Sequence, residues 1–155
     1  MKTLITLLLV TIFQFNYAQE NTVSAPKNKI WLGTIYSPRA FSTFDGGKPF
    51  DVTSVLYLVP TYITGKWAFA PFYNFSGNRT GIFTSYNINK NLGVYIFGDQ
   101  DLDNNFGAYG IGATTPLYEN WINGFIEIGG SRGNNPEPAF LVGLYISLGK
   151  TIKEW

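Results

Sequence analysis

The sequence predicts an all-β fold, an up-and-down antiparallel β-barrel of about eight strands. Three observations predict it. Residues 29–149 divide into eight short extended runs, tight connectors alternate with longer ones, and polarity alternates along the clearest runs. A chain of this length forms one domain, and no linker divides it.

The eight predicted strands follow from the extended runs and the turn residues between them. The runs are 29–37, 53–64, 67–76, 80–88, 92–100, 107–117, 121–130 and 139–149. Only Gly65 and Lys66 separate the second run from the third, which predicts an antiparallel hairpin. Residues 89–91 and 118–120 are also short connectors, whereas 38–52 and 131–138 are long and rich in turn-forming residues.

Alternation within the last run predicts which side chains face outward. Every second residue from Phe140 to Leu148 is large and apolar, and the opposite face carries Leu141, Gly143, Tyr145, Ser147 and Gly149. The sixth run repeats the pattern, with Gly110 and Gly112 on its small face. A narrow barrel needs small inward residues, and a lipid-facing wall needs apolar ones. The barrel is therefore predicted to be membrane-inserted, with Asn123, Glu127 and Tyr145 in the lumen and Glu127 paired with an Arg or Lys or with water.

The second and third runs depart from this pattern because both of their faces are apolar. Pro60 and Pro71 lie inside them, and each removes a hydrogen bond from the strand ladder. We therefore expect a bulge at each proline. At the other end of the chain, residues 150–155 form a tail beyond the last predicted strand. In an unbroken strand Trp155 would face away from the side of Phe140 and Leu148.

The N-terminal segment predicts export. Lys2 precedes an apolar stretch from Leu4 to Phe13, and Ala18 offers a small residue before a cleavage point. A stretch of roughly 10 apolar residues is too short to span a bilayer, which takes ~20. Residues 1–18 are thus predicted to be a cleaved signal peptide, 19–28 a flexible leader and 29–155 the barrel domain.

Composition narrows the classes of function. Charged residues make up 14% of the chain and aromatic residues 17%, an unusual balance for a soluble surface. Lys and Arg number 11 against 10 for Asp and Glu, so no electrostatic footprint for nucleic acid exists. The chain has no His and no Cys, which removes the commonest general base, the thiol nucleophile and the usual zinc ligands. The sequence therefore predicts a protein that is not an enzyme.

Tryptophan positions agree with one orientation of the barrel. If the N-terminus lies in the periplasm, the tightest connectors become periplasmic turns and the longest become extracellular loops. Four tryptophans then share the periplasmic rim, where indole rings favour the membrane interface: Trp31, Trp67, Trp121 and Trp155. Arg39, Arg79 and Arg132 would lie at extracellular connectors as solvated charges or as contacts for lipopolysaccharide phosphate.

One acidic stretch is a candidate metal site. Asp99, Asp101 and Asp103 alternate and are followed by two asparagines, which supplies the hard oxygen ligands that Ca²⁺ prefers. Gly110 stands where a calcium loop would carry its bidentate Glu. The alternative is a solvated polar loop with Asx turns. No other cofactor is predicted.

The segments GAYGIGATTPL and AFLVGLYISLG, together with the export segment and the order of turns, resemble the small eight-stranded outer-membrane β-barrels of Gram-negative bacteria. The resemblance covers residues 29–149. It implies a cell outer membrane protein with a structural, adhesive or surface-interaction role, or a subunit of an envelope assembly. Its partners would be outer-membrane lipid and another envelope protein. The alternative is a secreted or periplasmic soluble β-barrel that binds a small apolar ligand. This would explain why the second and third runs are apolar on both faces.

Overall fold

A computed structural model describes residues 28–43, 51–104, 106–119, 121–132 and 138–155. The predicted signal peptide and nearly all of the leader lie outside these residues. The strands are β1 (Lys29–Thr43), β2 (Asp51–Thr64), β3 (Trp67–Asn74), β4 (Arg79–Asn89), β5 (Leu92–Asp101), β6 (Gly107–Tyr118), β7 (Ile122–Arg132) and β8 (Ala139–Glu154). Each pairs antiparallel with the next, and β1 pairs with β8, so the sheet is a closed barrel. The predicted architecture is confirmed.

No helix in the described part of the chain is long and apolar enough to cross a membrane.

The first and last strands are longer than the sequence predicted. β1 continues through Pro38 to Thr43, and β8 continues through the supposed tail to Glu154. The predicted ends at Ser37 and Gly149 were therefore wrong. The reason is long-range pairing: Phe41 lies opposite Leu141, and Ile30 lies opposite Lys153. Pairing between the two ends of the domain outweighs the local turn preference of Pro38 and Gly149.

A β-bulge in β8 turns the C-terminal residue outward. Trp31 pairs with Thr151 and Ile30 with Lys153, so Ile152 is an extra residue in β8. One extra residue reverses the alternation of faces beyond it. Trp155 accordingly stacks on Tyr62, a side chain exposed on the outer wall, with 6.2 Å between ring centroids. The bulge explains how a residue of the wrong parity joins the outer face.

Two more bulges lie at the same end of the barrel. Ile88 is the extra residue in β4 and Leu117 the extra residue in β6, each just before a tight turn. Ile88, Leu117 and Ile152 are all apolar and exposed. Bulges are common at barrel rims, where they bend the edge and increase its twist.

The prolines of β2 and β3 do not produce the predicted bulges. The register on either side of them is the same, with Leu58 opposite Tyr73 and Tyr62 opposite Phe69, which places Pro60 directly opposite Pro71. The positions in between form no ladder pairs. Because proline has no N–H, two facing prolines interrupt the ladder without shifting its register.

Side chains fill the interior in two clusters. The first contains Tyr57, Val59, Ala70 and Phe72, and the second contains Tyr95, Phe125 and Tyr145. The first cluster explains why β2 and β3 are apolar on both faces. Their inward residues build the core of one half of the barrel, while Leu56, Leu58 and Phe69 are exposed on the outer wall.

Aromatic rings of the second half lie across glycines of the neighbouring strand. A Cβ atom at Gly112 would overlap the ring of Tyr95, and one at Gly110 would overlap the ring of Phe97. The small face predicted for the sixth run therefore packs against the inward-pointing rings of β5. These glycines are required for close approach, because the space above them is already occupied.

Gly112→Ala should lower the free energy of unfolding by about 1 kcal/mol or more, because the new methyl group displaces the Tyr95 ring in a packed interior. Gly98→Ala is the matched control, since a Cβ there meets no atom closer than 4.0 Å. Urea titration in lipid vesicles measures both. Equal stability of the two variants would contradict the ring-on-glycine packing.

Candidate functional site: the lumen network and the outer wall

A buried carboxyl group lies inside the barrel. Glu127 of β7 is 4% exposed, and it accepts a hydrogen bond of 2.8 Å from the hydroxyl group of Tyr95. The same hydroxyl lies 3.2 Å from that of Tyr145. Three strands thus contribute one polar cluster. The structure places Glu127 and Tyr145 inside the barrel, and a tyrosine hydroxyl donates to the carboxyl group for which the sequence left an Arg or Lys or water as partners.

Asn123 lies on the same inner face. It pairs directly with Tyr145 across β7 and β8, and directly paired residues point to the same side of a sheet. The candidate lumen residues of the sequence are therefore neighbours in space. Tyr95 was missed, although it alternates with the exposed Ile96 and so had to face the opposite side.

Arg39 also belongs to the interior. The guanidinium group donates a hydrogen bond to the hydroxyl of Tyr57, and it lies 5.5 Å from the centre of that ring and 6.0 Å from the centre of Phe125. The sequence placed Arg39 in an extracellular connector. That placement was wrong because β1 extends past Pro38 and carries the side chain inward. Cation–π contacts with two rings partly replace the water that the charge has lost.

An ion pair lies inside the barrel at the end where β4 begins and β5 ends. Arg79 of β4 pairs with Asp99 of β5, and Asp99 also accepts a 2.8 Å bond from the backbone N–H of Ala108. The Arg79 guanidinium lies 5.0 Å from the centre of the Phe106 ring. Arg79 is therefore a paired charge within β4, and the expected solvated connector charge is corrected. The side chain of Arg132 lies outside the described residues.

The three candidate calcium ligands have separate partners. Asp101 accepts backbone hydrogen bonds of 2.8 and 2.9 Å from Asp103 and Asn104, which forms the Asx turn considered as the alternative. Asp103 accepts a 2.7 Å bond from the side-chain amide of Asn78. Across the described residues no group of three or more acidic, His or Cys side chains is placed to hold a metal ion.

The outer wall is apolar around the whole barrel. Its exposed side chains include Leu32 and Tyr36 of β1, Leu56 and Leu58 of β2, Phe69 of β3, Ile82 of β4, Ile96 of β5, Ile111 of β6, Ile126 and Ile128 of β7, and Leu148 of β8. Ile96, Ile111 and Ile128 are direct cross-strand neighbours and are 58%, 59% and 55% exposed. An exposed row of paired isoleucines is costly in water, and it matches a lipid environment.

Three of the four tryptophans lie on the outer rim at the end with the tight turns. Trp67 stacks on Phe69 with 6.2 Å between centroids and lies 4.8 Å from Tyr86. Trp121 packs edge-on against Tyr118 at 5.5 Å, and Trp155 stacks on Tyr62 as described above. These pairs form an aromatic band, defined here as Tyr62, Trp67, Tyr86, Tyr118, Trp121 and Trp155.

Trp31 differs from the other tryptophans and corrects the expectation of a four-membered rim. It is half-buried and packs against the first interior cluster, with its ring over Gly33 and Gly149. Parity along β1 explains the difference, because Trp31 alternates with the outward Leu32. Trp31 therefore helps to fill the lumen.

No family model and no curated protein matches the chain. Among solved structures it is similar to two crystal structures of Ail, the attachment invasion locus protein of Yersinia pestis. For the complex with the heparin analogue sucrose octasulfate, the TM-score is 0.40 at 13% identity, covering 81% of this chain and 100% of that chain. For the second structure the TM-score is 0.37 at 14% identity, with the same coverage. The likeness is distant.

Proposed function

We propose that this chain is a non-enzymatic outer-membrane β-barrel that spans the bilayer with β1–β8 and offers its loops for surface interaction. The observation that carries this proposal is the apolar outer wall of a closed barrel. A closed barrel satisfies its backbone hydrogen bonds internally, which a bilayer requires. Lipid then covers the isoleucine row that water would otherwise contact.

The filled lumen favours a structural or surface-interaction role over transport. Two aromatic clusters occupy the interior, and the Tyr95–Glu127–Tyr145 network joins three strands at its centre. An eight-stranded barrel has an interior just wide enough for side chains, so general passage of solutes is not expected. The same filling opposes the alternative of a soluble barrel with an apolar ligand inside.

The aromatic band supports an orientation with the tight turns in the periplasm. Lysines lie among its rings: the Lys66 ammonium is 5.9 Å from the centre of Tyr86, and the Lys153 ammonium is 5.1 Å from the centre of Trp155. Amphipathic rings and long cationic side chains concentrate where apolar core meets headgroups. Trp67, Trp121 and Trp155 are therefore proposed as membrane-interface anchors.

Closure of β1 on β8 predicts resistance to SDS. An unheated sample extracted in detergent should migrate differently on SDS gels from a boiled one, because a barrel without a free edge stays folded. Fractionation of cells without detergent should leave the protein in the membrane pellet. Identical mobility in both lanes, or recovery in a soluble fraction, would favour the soluble ligand-binding barrel.

The surface role predicts that the longer connectors are accessible from outside the cell. An epitope tag between Gly46 and Gly47 should label intact cells, because a long connector accommodates an insertion at little entropic cost. A tag after Lys90, in a tight turn at the opposite end, should label only after the outer membrane is permeabilised. The reverse pattern would invert the orientation, and labelling of both tags only after permeabilisation would place the protein in the periplasm.

A further inference from the structure

The seam between β2 and β3 is interrupted at its middle. Ladder pairs are present at Leu58–Tyr73 and at Tyr62–Phe69, and none forms between them, where Pro60 faces Pro71. This gap lies inside the wall, between stretches that are regularly paired on both sides. It differs from the bulges described above, because both strands keep their register through it.

The two prolines occupy the kind of position that normally makes two hydrogen bonds. The N–H of Phe75 donates to the carbonyl of Leu56 at 2.9 Å, which identifies that pair as a hydrogen-bonded one. Antiparallel pairs alternate between hydrogen-bonded and non-hydrogen-bonded, so the pair Pro60–Pro71 belongs to the first kind. Both N–H groups are missing, and two carbonyl groups face each other with no amide between them.

The seam between β1 and β8 is better bonded, although it joins the two ends of the domain. Asn28 and Trp155 exchange two backbone hydrogen bonds of 3.0 Å at its rim, and Lys29 forms an ion pair with Glu154 at 3.8 Å. This ladder also lacks pairs at Ser37 and Pro38. Pro38 is its one proline, however, and the opposite strand carries Leu144 there, so at most one N–H is lost.

We propose that the barrel wall opens first along the β2–β3 seam, at Pro60 and Pro71, and not along the β1–β8 seam where the first and last strands meet. Local opening begins where cooperative bonding is weakest. Inward packing of Val59, Ala70 and Phe72 holds the seam closed from the lumen side. Transient opening therefore exposes the first interior cluster to the surroundings of the outer wall.

Amide hydrogen exchange, followed by NMR on the folded protein in lipid nanodiscs, tests this proposal. The amides that point across the seam next to the gap are those of Leu58, Tyr62, Phe69 and Tyr73. They should exchange about tenfold faster than the amides of Leu32 and Thr34, which point across the β1–β8 seam. Equal rates, or faster exchange at Leu32 and Thr34, would overturn the proposal.

Two sets of variants separate the missing bonds from other causes of fast exchange. The double variant Pro60→Val with Pro71→Val supplies both missing N–H groups and should slow exchange at the four seam amides. Independently, Ile63→Cys with Ala68→Cys places two cysteines on a directly opposite, non-hydrogen-bonded pair of this otherwise cysteine-free chain. The oxidised bridge should slow exchange at Tyr62 and Phe69 relative to the reduced form. Unchanged exchange in the bridged protein would contradict opening along this seam, even if the valine variant fails to fold.

Discussion

Ile111→Arg should lower the free energy of unfolding in lipid vesicles by about 2–4 kcal/mol, the cost of an arginine facing the middle of a bilayer. Ile111 lies in the middle of β6, is 59% exposed, and has Ile96 and Ile128 as its cross-strand neighbours. In a soluble barrel the same change at so exposed a position would alter stability by less than ~0.5 kcal/mol. The loss of unfolding free energy caused by this one substitution is therefore expected to be much larger for a membrane barrel than for a soluble barrel.

Val52→Arg is the matched control for Ile111→Arg. It introduces the same side chain at an apolar position that is 82% exposed, but at the loop end of β2. Near the interface the cost of arginine falls to about 0–1 kcal/mol. The measurement is the folded fraction of each variant in vesicles over a urea series. Equal and small effects of both substitutions would contradict membrane insertion of this wall.

The centre of each strand could be predicted from the sequence because alternation is a local property. Glu127, Gly112 and Leu144 all fall on the faces that a period of two assigns to them. The outer ends of β1 and β8 could not be predicted in this way. Each of these ends is a strand because of long-range pairing, residues 39–43 of β1 with residues 139–143 of β8 and residues 150–154 of β8 with residues 29–32 of β1, whereas Pro38 and Gly149 locally favour a turn.

The errors at Trp31 and Arg39 share one cause. Both residues lie on the same side of β1 as Gly33 and Ile35, and the parity of that strand sends all of them inward. For Trp31 the sequence contained a signal of the inward side, because Gly33 is a small residue on the same side of β1 and the crowded interior requires small residues. For Arg39 it was hidden, because Pro38 indicated the end of the strand.

The acidic residues at the end of β5 left two interpretations open, a calcium site and an Asx turn, for a different reason. Alternating aspartates carry oxygen atoms that suit a metal ion. In a tight loop, however, the nearest hydrogen-bond donors to these oxygens are the backbone amides of the loop itself. Asp101 binds two of them, and Asp99 instead pairs with Arg79. Competition between a metal ion and local hydrogen-bond donors is not visible in the spacing of the residues.

Tyr95→Phe should lower the free energy of unfolding by about 1–3 kcal/mol, the cost of leaving a buried hydrogen-bonding group without its partner. The substitution removes one oxygen atom and leaves the ring that covers Gly112 in place. It deprives Glu127 of its 2.8 Å donor and Tyr145 of its 3.2 Å partner inside the barrel. Tyr36→Phe deletes the same atom from an exposed side chain of the outer wall and serves as the control, with an expected effect of less than ~0.5 kcal/mol.

A double-mutant cycle decides whether the Tyr95–Glu127 bond is the cause of that loss. Glu127→Leu alone should also destabilise, because it leaves the hydroxyl of Tyr95 and the nearby Arg39 charge without this carboxyl group. Combining it with Tyr95→Phe removes both partners of the hydrogen bond, so the double variant should lose less than the sum of the single losses, by about 0.5–3 kcal/mol. Strictly additive losses, measured by urea titration in vesicles, would show that the two side chains stabilise the barrel independently.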